Sequence, residues 1–121
     1  MTQKSIKELF DFTGKTVIVT GGAMGIGYGI VLRFVEAGAN VVIADLADEG
    51  QIKAQALNQN AKTVIFIKTD VSSEEDVKRL IKQTVEKFSG LDILVNNAGI
   101  YPQKQVLEMD LAFWEKIQAV N

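Results

Sequence analysis

The segment Lys15-Thr16-Val17-Ile18-Val19-Thr20 runs directly into Gly21-Gly22-Ala23-Met24-Gly25-Ile26-Gly27. No other feature restricts the fold as much. The first part is β-branched and apolar on both sides of the pleat, so it needs cover on both faces, as a strand inside a parallel sheet has. The glycines then ask for a tight turn. After them Ile26, Ile30, Val31, Phe34 and Val35 recur at helical spacing up to Ala37, and Gly38 stands where a helix would end.

Strand and helix patterns keep alternating. Asn40–Asp45 reads as a second buried strand. Asp48 to about Gln59 is weakly helical, with Ile52, Ala56 and Leu57 on one side. Thr63–Lys68 is a third strand. Ser72 and Glu75 have capping-box spacing ahead of a helix. That helix would be lined by Val77, Leu80, Ile81, Val85 and Phe88 and closed by Gly90. Leu91–Asn96 is a fourth strand ending in an Asn-Asn-Ala-Gly turn. A loop with the only proline, Pro102, precedes a last helix from near Asp110, its apolar side formed by Leu111, Trp114, Ile117 and Val120. Residues 1–14 are a lead-in, helical around Ile6 to Phe10, and 15–121 make one domain. Such alternation predicts an α/β fold with a doubly wound parallel sheet.

Composition excludes several functions. There is no cysteine and no histidine, which removes thiolate sites, disulfides and the commonest metal ligand, so no metal is expected. A net charge of -2 with mixed signs gives no electrostatic case for nucleic acid. No apolar run approaches the roughly 18 residues that span a bilayer, and the start lacks a signal-peptide core. A cytoplasmic location is therefore the default expectation.

Two features suggest a ligand. A helix starting after the glycine turn would aim free N–H groups and a positive dipole end at an anion such as a pyrophosphate. Gly21 would allow the tight turn, Gly25 a close phosphate approach, and Gly27 close packing of helix on strand. A flexible turn without ligand would also use glycines, and the spacing is not G-x-G-x-x-G. Asp45 falls 18 residues after Gly27, near the roughly 20 expected of an acid that bonds an adenosine ribose. It would repel a 2′-phosphate, and neither Ala44 nor Leu46 is basic. A solvated aspartate capping the next helix is the alternative reading.

Taken together, Thr20-Gly-x-x-x-Gly25-x-Gly27, Asp70-Val71, Asn96-Asn97-Ala98-Gly99 and Val120-Asn121 occur in the order found in the short-chain dehydrogenase/reductases. The chain resembles the N-terminal portion of that family from about Lys15 to its last residue. The resemblance implies a Rossmann-type sheet of order 3-2-1-4 and NAD as cofactor. Gly21, Met24, Gly25, Ile26 and Gly27 would surround the pyrophosphate. Asp45 would hold the ribose, with Leu46 beside the adenine. Asp70 and the Val71 backbone would bond the adenine. Asn97, Ala98 and Gly99 would line a ribose pocket, and Asn96 would tie neighbouring strands. Asn121 would belong to the catalytic group, its main chain holding a relay water.

The resemblance also implies what is missing. The family's acid–base is a tyrosine with a lysine four residues on, which lowers its pKa. Here Tyr28 is followed by Leu32 and Tyr101 by Gln105. Complete members run to roughly twice this length, so the chain is expected to be about half a domain, cut before the catalytic tyrosine. An edge strand and last helix left bare would favour self-association as a homo-oligomer. The expected activity is hydride transfer between NAD and a small secondary alcohol or ketone, with a non-catalytic nucleotide-binding fragment or a relic as the alternatives.

Overall fold

In the computed structural model, which describes residues 3–58 and 63–121, four parallel strands carry helices on both faces. After a capped turn of helix, α1 (Ile6–Leu9), come β1 (Thr16–Thr20), α2 (Gly25–Glu36), β2 (Asn40–Asp45) and α3 (Glu49–Leu57). Then follow β3 (Val64–Lys68), α4 (Glu74–Phe88), β4 (Ile93–Val95), a short 3-10 turn at Val106–Glu108, and α5 (Leu111–Val120). The sheet order is β3-β2-β1-β4, as the resemblance implies. Thr16 to Thr20 pair with Asn40 to Ala44 on one side, and Val17 to Val19 with Ile93 to Val95 on the other.

Every residue of β1 is buried. Alternation across the strand then sorts two cores. Val17, Val19, Val41, Ile43 and Val64 face α2 and α3, where Val31 and Ala54 meet them. Ile18, Val42, Ala44 and Ile67 face α4 and its Leu80. This explains the continuous apolar runs of β1 and β2: both sides of each are covered.

Several local expectations need correction. The buried side of α3 is Gly50 and Ala54 with Leu57, whereas Ile52 is 68% exposed and Ala56 is exposed. Size decides this. A Cβ at Gly50 would lie 2.4 Å from a Phe66 ring carbon, so α3 approaches the sheet along its smallest residues and turns Ile52 outward. α3 ends at Leu57 with Asn58 as its C-cap, and Gln59, the end expected from the sequence pattern, lies outside the described residues.

The N-cap of α4 is Ser73, whose hydroxyl accepts from Asp76 N–H at 3.3 Å. Ser72 is instead bound to Asp70, through its N–H at 2.9 Å and its hydroxyl at 2.6 Å. The helix closes on Ser89 in the left-handed region, φ 64°, rather than on Gly90. Its buried line is Leu80 and Thr84, with Val77 and Val85 at the exposed margin. Thr84 is tolerated there because its hydroxyl donates back to Leu80 O at 2.7 Å.

The fourth strand is three residues long, not six, and Leu94 is half exposed. In α5, Ile117 and Val120 are partly covered, as is Phe113, whereas Leu111 and Trp114 stand out at 69% and 55% exposed.

These burial patterns set an expected outcome. Ile18→Ala, in the doubly covered strand, should cost about 3–4 kcal/mol. Ile52→Ala should change stability by less than about 0.5 kcal/mol. Urea unfolding of both variants checks the assignment of the α3 face, and a large loss at position 52 would reverse it.

Candidate functional site

All four strands end at one edge of the sheet, and the chain leaves each of them there. Between β1 and β4 the winding direction reverses, which opens a crevice beyond the strand ends. A cleft of about 660 Å³ lies there. That is within the roughly 300–1,000 Å³ typical of small-molecule sites.

Its first wall is the turn after β1. Gly21, at φ 64°, adopts the left-handed region, which costs an L side chain roughly 1–2 kcal/mol. A Cβ there would also sit 2.9 Å from Asn97 Nδ2. Gly21 and Met24 line the cleft, whereas Gly25, Ile26 and Gly27 lie off its wall. Gly27 instead lets α2 reach the turn, since a Cβ at 27 would come within 2.0 Å of Gly21 O. Gly25 is different: its φ is 55°, yet a Cβ would meet nothing within 4 Å. No side chain caps α2, so its first-turn N–H groups are left to water or a ligand.

The second wall is the end of β2. Asp45 and Leu46 line the cleft. Asp45 Oδ2 accepts from Ala23 N–H at 3.0 Å, and Oδ1 accepts from Ala47 N–H, also at 3.0 Å. The helix that follows is N-capped at Asp48, so Asp45 is not its cap. The carboxylate both shapes the glycine turn and faces the cleft with lone pairs to spare.

The third wall follows β3. Thr69, Asp70, Val71 and Ser72 line it. Asp70 N–H donates to Asp76 Oδ2 at 2.8 Å, and Arg79 pairs with the other Asp76 oxygen at 2.8 Å. The Asp70 N–H first, and then the Arg79 guanidinium, hold the Asp76 carboxyl below the ordinary aspartate range.

The fourth wall is the Asn97-Ala98-Gly99 turn, joined by Lys116, Ala119 and Val120 of α5. Asn97, not Asn96, ties the strands. Its Nδ2 donates to Thr20 O at 3.0 Å and Gly21 O at 3.2 Å. Asn96 is exposed, because the pleat turns it outward at the end of β4. Thr20 completes the tie: its hydroxyl accepts from Asn97 N–H and Ala98 N–H, each at 3.0 Å, and donates to Val95 O. Sequence reading missed this role. The available signal was a threonine ending an otherwise aliphatic buried strand, where a hydroxyl needs partners. The Asn121 side chain is likewise engaged, accepting from Ile100 N–H at 2.8 Å and donating to Ile100 O at 3.0 Å.

Fold and site together define a doubly wound, Rossmann-type α/β domain with its cleft at the switch point. The family described as short chain dehydrogenase matches residues 15–121. The chain belongs to the short-chain dehydrogenase/reductase family. It is 41% identical over 109 residues to an uncharacterized oxidoreductase of Thermotoga maritima, covering 89% of this chain and 43% of that protein. It is 48% identical over 97 residues to the L-fucose dehydrogenase of Oryctolagus cuniculus, covering 80% and 33%. The crystal structure of a glucose/ribitol dehydrogenase-type member from Brucella melitensis superposes with a TM-score of 0.85 at 37% identity, covering 91% of this chain and 46% of that one. The chain thus spans between a third and a half of the length of these relatives. Among the described residues no helix is long and apolar enough to cross a membrane.

Two outcomes follow from the site geometry. Gly27→Ala forces a backbone clash and should cost about 2–3 kcal/mol, whereas Gly25→Ala meets only the φ penalty, about 1–2 kcal/mol. Thermal unfolding ranks them, and equal losses would contradict the contact at Gly27. Asp76 gives a pH test. Its folded pKa lies below its unfolded value, so its stabilisation is whole above the unfolded pKa and is lost as pH falls through the folded one. Its carboxyl carbon should titrate below the ordinary aspartate range in an NMR series. The Asp70 amide shift should follow the same midpoint, and an ordinary midpoint would refute the Asp70–Asp76 bond.

Proposed function

We propose that this chain is the cofactor-binding portion of an NAD-dependent oxidoreductase that interconverts a secondary alcohol and a ketone. The observation that carries the reading is Asp45: a carboxylate at the end of β2, on the cleft wall, flanked by Ala44 and Leu46 with Met24 across from it in the glycine turn. A ribose offers hydroxyl hydrogens to such a group, and a 2′-phosphate would meet its negative charge with no basic residue next to it in the chain.

The residues fit a dinucleotide in other respects. Glycine turn and uncapped α2 provide free N–H donors and a positive dipole end for a pyrophosphate. Leu46 and Val71 offer apolar surface beside the adenine, with Asp70 to accept from its amino group. Asn97 holds the turn shape from below, leaving the Ala98 and Gly99 backbone toward the second ribose. The bound cofactor supplies the hydride acceptor or donor. Asn121, its side chain occupied by Ile100 and its N–H by Ile117 O, has its main-chain carbonyl to offer a water. The relatives' names include a sugar dehydrogenase and, from Eggerthella lenta at 42% identity over 110 residues, 3beta-hydroxysteroid dehydrogenase 2. That spread supports a portion whose cleft addresses the cofactor and leaves substrate choice to other residues.

The test is a calorimetric titration with NAD and NADP. NAD should bind more tightly. In Asp45→Ala with Leu46→Arg, the NADP-to-NAD affinity ratio should rise by about 10–100-fold, the scale of replacing a repulsion by an ion pair. The ratio is the readout because Asp45 also holds Ala23, and losing that bond should weaken both ligands. A parent that binds NADP equally well would sink the reading. A polypeptide of these 121 residues should show no alcohol oxidation in an NADH absorbance assay, since neither Tyr28 nor Tyr101 has a lysine four residues on.

A further inference from the structure

Lys53 stands on α3, off the cleft wall, yet it reaches the glycine turn. Its ammonium donates to the carbonyl oxygen of Ala23. The same ammonium sits 4.2 Å from the ring centroid of Tyr28 in the first turn of α2. The position follows from packing. Gly50 and Ala54 bring α3 close to the sheet, and Lys53, beside Ala54 at the margin of that contact, is half-buried and aimed at the start of α2.

Ala23 is itself fully buried and held from both ends. Its N–H donates to Asp45 Oδ2 at 3.0 Å, and its carbonyl accepts from Lys53. Two charged groups from different elements therefore fix two consecutive peptide units. A planar trans peptide turns its C=O and its N–H in opposite directions, and no peptide bond among the described residues is cis. With the Ala23 oxygen turned to Lys53, the Met24 N–H is turned away from α3. Met24 is the N-cap of α2 and lies on the cleft wall. A charged donor on the carbonyl also polarises that peptide and strengthens its N–H.

We propose that Lys53 is a positioning residue for the dinucleotide: seated on Tyr28 and bonded to Ala23, it sets the Ala23–Met24 peptide in its binding orientation before the ligand arrives. This rests on the nucleotide reading of the cleft given above. A lysine gives up the freedom of a four-carbon stem to take one position. Here that position has an aromatic face beneath the ammonium and a backbone acceptor in front of it.

Lys53→Met keeps the stem and removes the charge, and Lys53→Arg keeps the charge. Amide hydrogen exchange of Ala23 and Met24 is measured without ligand, alongside NAD affinity and thermal unfolding. In Lys53→Met, exchange at these amides should rise about tenfold and NAD Kd should rise about tenfold, the scale of one charged hydrogen bond. The thermal midpoint should fall by only a few degrees, the scale of one lost bond, and Lys53→Arg should restore most of these effects. Parental exchange and affinity in Lys53→Met would overturn the proposal. So would equal losses in both variants that track the thermal midpoint, because Lys53 would then be only a packing residue. If the unchanged protein binds no NAD, the nucleotide reading fails by itself. The exchange data then still decide the claim about the turn: a rise reversed by arginine sustains it, and parental rates overturn it.

Discussion

The bonds between Thr20 and the Asn97-Ala98 turn are what the cleft depends on. β4 contributes only three residues to the sheet, too few to fix its far end by ladder bonds alone. One hydroxyl and one carboxamide finish the job, joining the end of β1 to the turn beyond β4 with five hydrogen bonds to backbone groups. They lie where the winding reverses, so they set how far the crevice opens. They also leave no buried side-chain N or O unpartnered among the described residues. In a buried setting, a missing partner for any of these groups would cost about 1–3 kcal/mol.

The large-scale fold was legible because burial on both faces leaves a plain mark. Four short aliphatic runs, alternating with helical periods, admit little besides a parallel sheet. The strand order and the motif positions came through the family resemblance, not from periodicity. What sequence reading missed was set by contacts between elements. Ile52 looked like a core residue until Gly50, against Phe66, determined which side of α3 approaches the sheet. Ser72 and Ser73 offer the same cap chemistry, and the choice fell to Ser73 because Asp70 already holds Ser72. Asn96 and Asn97 are adjacent and identical, so only the pleat at the end of β4 separates their roles.

Asp45 shows how a site residue can be half scaffold. Both of its oxygens are engaged by backbone N–H groups, one of them in the glycine turn. Charge at this position and shape of the turn are therefore coupled: a change that removes the carboxylate also releases Ala23. This coupling makes single substitutions at position 45 hard to read as changes in selectivity alone. It also accounts for the fold keeping an acid at a partly buried place, since the N–H donors offset its desolvation.

The tie between Thr20 and Asn97 has a kinetic side. β1 meets β2 through Thr16 and Asn40, a short crossover away, but it meets the Asn97 turn across 77 positions. Closing the longer loop costs about 1 kcal/mol more in chain entropy. The first and second strands can pair with the local helix between them as their only connection. The cleft has no such shortcut. It does not exist until the longest excursion of the chain has returned to the first strand, so the site is the most non-local feature of the sheet.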